Sequence, residues 1–289
     1  DYVERQETLC RLAAHNFPLL GLDHIRVHHA DALEYLREME PVDCLFLDPA
    51  RRDSHGGKTV AITECEPDVC ALESLLVEKG RKVMVKLSPM LDMASALRDL
   101  KYIRELHVIA VNNECKELTA VLYQMNSVNE SSEKEVVISC EQAVHNSLSE
   151  PFTYTLSEEK NAVCQLADRV ETYLYEPGAA LLKAGPYRLL SQRYGVKKLH
   201  PNSHLYTSSV QVDFPGRCFQ VTGISGFGKK EVKELLGGLE KANLTVRNFP
   251  ASVADLRKKL KLKEGGDVYL FATTLQNGEK VLIKCLKPA

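Results

Sequence analysis

The sequence predicts an α/β fold: a mostly parallel, Rossmann-like sheet over the first 125 residues, followed by smaller α/β pieces. Three observations carry this. Strand-like and helix-like stretches alternate from Tyr2 to Tyr123, the order that lays helices on the faces of a parallel sheet. Acids close the first three strand-like stretches, at Glu4, Asp31 and Asp48, the end at which an open α/β sheet binds its ligands. The net charge of −2 conceals two halves of opposite sign, with 19 Lys+Arg against 9 Asp+Glu after residue 173.

Taken in order, Asp1 to Glu4 reads as a short strand. A helix follows from about Arg5 to Leu20, with Leu9, Leu12, Phe17 and Leu20 at helical spacing and Gly21 as its C-terminal cap. Ile25 to His28 is a strand, and Asp31-Ala32 opens a helix through about Glu38. After the strand Cys44 to Leu47 come a helix at about 68–79, a strand from Lys82 to Leu87 and a helix at about 92–101. Strands near Leu106–Val111 and Leu118–Tyr123 complete the region. The acids admit two readings. After the second strand of a nucleoside-binding sheet an acid accepts hydrogen bonds from ribose hydroxyls, and the next can accept from an adenine amino group. Asp is equally favoured as a helix N-cap, a reading to which Asp31 is especially open.

The stretch Val42 to Asp53 organises this region. Cys44 to Leu47 has the continuous apolar pattern of a strand buried on both faces. Asp48-Pro49 cannot extend it and turns the chain outward, into Ala50, Arg51, Arg52 and Asp53, then Gly56-Gly57. An acid, a rigid turn and two cations make a site candidate. Asp48 can orient or deprotonate a substrate group, and Arg51 and Arg52 can hold a phosphate. A solvated strand-to-loop turn is the alternative.

At 289 residues the chain is long enough for about two domains. No apolar run approaches the roughly 18–20 residues of a membrane span, and no signal-peptide pattern opens the chain. The nine cysteines are scattered without a CxxC pair, which favours reduced thiols in a cytoplasmic protein over disulfides or a zinc site. His200 and His204 are four apart, but Pro201 interrupts the helix such a metal pair needs, so no metal is expected. No membrane partner is expected either.

Tyr2-Val3-Glu4-Arg5-Gln6, Cys10, Ala14-His15-Asn16 and Leu47-Asp48-Pro49-Ala50-Arg51-Arg52 resemble blocks of a bacterial family of class I S-adenosylmethionine-dependent methyltransferases. Lys86-Leu87-Ser88-Pro89-Met90-Leu91-Asp92 and Asn113-Glu114-Cys115-Lys116-Glu117-Leu118 look like further blocks of it. Members carry a ferredoxin-like piece and a THUMP-like domain after the catalytic sheet, and the resemblance covers essentially the whole chain. It implies a partial methyltransferase domain at 1–125, a β extension and linker at 126–173, a ferredoxin-like segment at 174–217 and a THUMP-like domain at 218–289. It also implies S-adenosylmethionine as cofactor, with Glu4 on the ribose, Asp31 and Ala32 at the adenine, and Asp48 beside them. Asp48-Pro49-Ala50-Arg51 would be the catalytic loop. The family's glycine-rich loop, about 15–20 residues before Glu4, is not in this sequence. The chain is therefore expected to be N-terminally truncated and to bind the cofactor poorly by itself.

The acceptor is less legible. No aromatic follows Pro49 to stack on a flipped base, and Ser88-Pro89-Met90 offers no cysteine nucleophile. Cys115 could approach the site, but free cysteine is commonly a small core residue. Asn113 and Glu114 are candidate secondary pocket groups. In the C-terminal half, a helix is expected around 162–173, helices interrupted by Gly185-Pro186 over Ala179–Tyr194, and a strand–helix–strand–helix–strand–strand order from Cys218, its helices at Lys229–Lys241 and about 252–261 and its last hairpin turning at Asn277-Gly278. Phe249 reads as core. The THUMP-like resemblance implies RNA, tRNA or rRNA, as partner, with Arg247, Lys258, Lys259, Lys261 and Lys263 as phosphate contacts. A solvated lysine-rich surface would look the same. Three readings stand: an S-adenosylmethionine-dependent RNA methyltransferase, a non-catalytic RNA-binding protein on a degenerate methyltransferase scaffold, and a dinucleotide-dependent oxidoreductase.

Overall fold

The computed structural model describes residues 1–51, 62–124, 135–144 and 147–288. Arg52, Asp53, Gly56-Gly57 and residues 126–134, at the start of the expected β extension and linker, lie outside them. The chain divides into two compact units, Asp1–His107 with Lys116–Val137, and Val108–Cys115 with Ile138–Ala289. Among the described residues, no helix is long and apolar enough to cross a membrane.

The first unit follows the expected alternation. β1 (Tyr2–Glu4) leads into α1 (Glu7–Leu19), and β2 (Val27–His29) lies parallel to β1 with His29 opposite Glu4. Gly21 takes a left-handed φ of 72° just past α1, as its capping place predicts. Then come α2 (Ala32–Glu38), β3 (Val42–Leu47), and the short antiparallel pair β4 (Ala50–Arg51) and β5 (Cys65–Glu66). α3 (Val69–Lys79), β6 (Gly80–Leu87), α4 (Met93–Asp99), β7 (Ile103–Val111) and β8 (Glu114–Tyr123) complete it. Asp31, Asp68 and Asp92 cap the N-termini of α2, α3 and α4 through their side chains.

Two expectations change here. β3 runs parallel to β6, but β6 and β8 are antiparallel, so the sheet is mixed. The turn between β7 and β8 is Asn112-Asn113, both at positive φ, a two-residue connection that only antiparallel strands can use. β3 is also not buried on both faces. Cys44 is exposed and Phe46 is 63% exposed. β3 stands last in its strand order while β1 and β2 form a sheet of their own, so one edge of β3 has no strand beside it among the described residues.

The second unit holds the β7–β8 tip, β9 (Val137–Val144), β10 (Ser147–Leu148) and β11 (Phe152–Thr155). The helix expected at 162–173 is absent. α5 (Leu156–Asn161) forms earlier, because Thr155 and Glu158 make a capping box, and 162–172 runs irregularly with Leu166 bridged to Lys198. β12 (Tyr173–Pro177), α6 (Ala179–Ala184), α7 (Tyr187–Tyr194), β13 (Lys197–Lys198) and β14 (Tyr206–Ser208) follow, with the helix break at Gly185-Pro186 as expected. The terminal order is β15 (Gly216–Ser225), α8 (Lys229–Leu236), β16 (Asn243–Arg247), α9 (Val253–Leu260), β17 (Tyr269–Thr274) and β18 (Lys280–Leu286). α8 stops five residues short of Lys241, since Gly237 and Gly238 both adopt positive φ.

One sheet gathers these strands in the order β13-β14-β12-β15-β18-β17-β16. Its side chains alternate between two cores. Leu270, Ala272 and Leu282 pack under α8 and α9 with Leu256 and Leu260. Phe219, Phe271 and Ile283 point the other way, onto Leu174, Leu199 and Leu205. The segment before residue 216 thus supplies both strands and core to the segment after it.

Candidate active site

Strand register builds the site. β3 and β6 are parallel with Leu47 opposite Val85, so the next residues, Asp48 and Lys86, leave the same end of the sheet side by side. Lys86 Nζ donates to Asp48 Oδ2 at 2.8 Å. That hydrogen bond, with the carboxylate's charge, raises the Lys86 pKa and keeps the ammonium protonated. Pro49 ends the ladder, and the backbone returns as Ala50 and Arg51 paired with Glu66 and Cys65. Asp48, Pro49, Cys65, Lys86, Ser88 and Lys116 line a hollow of about 160 Å³. Lys86 and Lys116 were not singled out from sequence. The signal for Lys86 was its place at the carboxyl end of the strand that must neighbour β3.

Glu4 and Asp31 occupy the corresponding end of the β1–β2 pair. Glu4 Oε1 accepts from the Gln6 N–H at 2.7 Å, leaving Oε2 open. Asp31 Oδ1 accepts from Leu33 N at 2.8 Å and Glu34 N at 3.2 Å, so its helix-capping role is realised while Oδ2 stays open. Ala32 is the first residue of α2, where backbone N–H groups lack intrahelical acceptors. An open carboxylate oxygen at each of two adjacent strand ends suits a ligand that presents hydroxyl and amino donors.

The secondary candidates resolve differently. Asn113 Oδ1 accepts from the Ala179 N–H at 2.9 Å, so it caps α6. Burial raises the pKa of Cys115, which disfavours the thiolate that a nucleophile requires.

Over its whole length the chain is 36% identical to a protein from Porphyromonas gingivalis W83 whose crystal structure is described as that of a "putative methyltransferase". The match covers 100% of this chain and 71% of that one, with a TM-score of 0.89. The chain belongs to this methyltransferase family. Residues 173–215 match the model of a ferredoxin-like domain and residues 216–287 that of a THUMP domain-like family. No curated protein matches the chain.

The methyltransferase's THUMP-like domain places its basic candidates unequally. Lys258 and Lys259 on α9, and Lys261 and Lys263 after it, are exposed. Arg247 is not free in the same way. Its Nη2 lies 2.8 Å from Oε1 of Glu176, a carboxylate only 2% exposed that Arg217 also holds, through Nε at 2.9 Å. The Arg247 guanidinium is thus ion-paired to a buried acid, with its side chain 35% exposed. His204 likewise serves packing, with its ring 3.6 Å from that of Tyr187. Among the described residues no group of His, Cys, Asp and Glu is arranged to hold a metal ion.

Proposed function

We propose that this methyltransferase takes its methyl group from S-adenosylmethionine and transfers it to RNA. One observation carries the cofactor assignment: Glu4, Asp31 and Asp48 all stand at carboxyl ends of parallel strands, the first two with an unused carboxylate oxygen. Glu4 would accept from the ribose hydroxyls, and Asp31 with the Ala32 N–H would read the adenine edge. The cofactor supplies an electrophilic methyl group. The chain's part is to orient the acceptor and receive its proton, a role for Asp48, whose Oδ2 is held in position by the Lys86 ammonium at 2.8 Å. Isothermal calorimetry on the full-length natural protein tests this. S-adenosylmethionine should bind the wild type and bind Glu4→Ala at least tenfold more weakly; a wild type that does not bind it ends the proposal.

RNA as acceptor is supported by the THUMP-like match and by the exposed lysines around α9. Binding should weaken steeply with salt, and changing Lys258, Lys259 and Lys261 together to Gln should flatten that dependence. Salt-independent binding would discard RNA.

A further inference from the structure

A second hollow, of about 290 Å³, opens on the α8–α9 side of the THUMP-like sheet. Four chain segments meet there. Phe227 comes from the loop before α8, and Phe249 and Pro250 from the turn after β16. Asp255 and Lys259 come from α9, and Lys280 from the first residue of β18. The two rings lie 4.7 Å apart between centroids, tilted by 35°, and both are only half-buried. Each ring is set in place by its backbone. Glu231 Oε2 accepts from the Gly228 N–H at 3.2 Å and folds back the loop that presents Phe227. Asn248, at a φ of 50°, turns the chain so that Phe249 follows inward, and its carbonyl accepts from Thr274 Oγ1 at 2.7 Å.

The charges around the rings are specific. Lys259 Nζ stands 5.7 Å from the Phe227 centroid, and neither Lys259 nor Lys280 has a carboxylate partner among the described residues. Asp255 Oδ2 accepts from Ser252 Oγ at 2.6 Å, which leaves Oδ1 as an acceptor in a pocket lined also by Lys259 and Lys280. An aromatic floor, two uncompensated ammonium groups and one carboxylate oxygen match the parts of a nucleotide: a π-face, its flanking phosphates and an exocyclic amino group. The volume is at the low end for ligand sites and suits a single base. A duplex cannot offer one, since its bases are stacked and paired.

We propose that this pocket captures one unpaired base of a single-stranded RNA segment, stacked against Phe227 and Phe249, with Lys259 and Lys280 on the adjoining phosphates. The assignment rests on the RNA reading above and gives it a point of attachment. It would fix the register of the RNA, whereas surface lysines alone would only hold it nearby.

The test is a titration of the full-length protein with a single-stranded RNA oligonucleotide carrying 2-aminopurine, whose fluorescence falls when the base stacks. Binding should quench the probe. Phe227→Leu, which keeps apolar bulk under the loop, should remove most of the quench and weaken binding by about tenfold. Phe227→Tyr should retain both. The surface change Lys280→Gln should weaken binding and lessen its salt dependence while leaving the quench at saturation intact. Single-stranded RNA bound without quenching, or bound equally well by Phe227→Leu, overturns the pocket but leaves RNA as the substrate class. Duplex RNA bound as tightly as single strands with the same Phe227 dependence overturns the unpaired base. No binding of either RNA overturns the RNA reading and the pocket with it.

Discussion

Glu176→Gln should destabilise the second unit measurably. The carboxylate lies on β12, 2% exposed, and holds the Arg217 Nε at 2.9 Å and the Arg247 Nη2 at 2.8 Å. Glutamine keeps the shape and removes the charge, leaving two guanidinium groups facing a neutral amide. Removing one partner of a buried pair costs about 3–5 kcal/mol. The arginine side chains here are 42% and 35% exposed, so water recovers part of that loss. The expected cost is therefore about 2–3 kcal/mol, or a Tm lower by about 5–10 °C for a unit of this size. Urea and thermal unfolding at pH 7, followed by far-UV circular dichroism, measure it. A double-mutant cycle with Arg217→Gln should return a coupling of about 1 kcal/mol or more. A loss below about 0.5 kcal/mol, or strict additivity in the cycle, would refute the view that this triad holds the sheet.

Three further outcomes are expected. Burial, with Lys198 and Arg247 nearby, lowers the His204 pKa from 6.5 to about 4. The unfolded chain then binds the proton more readily, so this contribution to stability is present above pH 6.5 and is lost as pH falls toward 4. His204→Asn, which tolerates the φ of 53° at this position, should flatten the fall in urea midpoint between pH 7 and pH 5; an unchanged slope would contradict the assignment. Gly216→Ala should cost about 3 kcal/mol, because its Cβ would lie 2.2 Å from the Glu176 carbonyl oxygen, and a wild-type melting curve would rule that contact out. Asp48→Asn should lower kcat for methyl transfer by about 100-fold or more, measured as label transferred from the methyl donor to RNA, and an unaltered kcat would exclude Asp48 as the proton acceptor.

The first unit was legible because its signals are local. The helix at Asp31 announces itself by an N-cap residue before an apolar period, and the end of β3 follows from Asp48-Pro49. What stayed hidden was relational. The pairing of Asp48 with Lys86 depends on register between strands nearly forty residues apart. The exposure of Phe46 depends on which strands lie beside β3, whereas its apolar run reads the same in either setting. Arg247 looked like any other cation near a basic helix until Glu176, seventy-one positions earlier, was found beneath it. α5 was missed for a different reason: Thr155 and Glu158 are a local capping signal, outweighed by the apolar residues that follow. Phe249, read as core, does pack against the core beneath α8 and α9, and its half-buried ring also lines the second pocket.

The ladder between β12 and β15 bears on how such a protein can be inherited. The two family matches meet between residues 215 and 216, yet Pro177 pairs with Gly216 and Tyr173 with Gln220 across that boundary. A recombination event cutting there would leave Phe219, Phe271 and Ile283 bare on one product and a strand without its neighbour on the other. The ferredoxin-like and THUMP-like pieces are therefore a single folding block, and a cut at their boundary should leave neither product with a complete sheet.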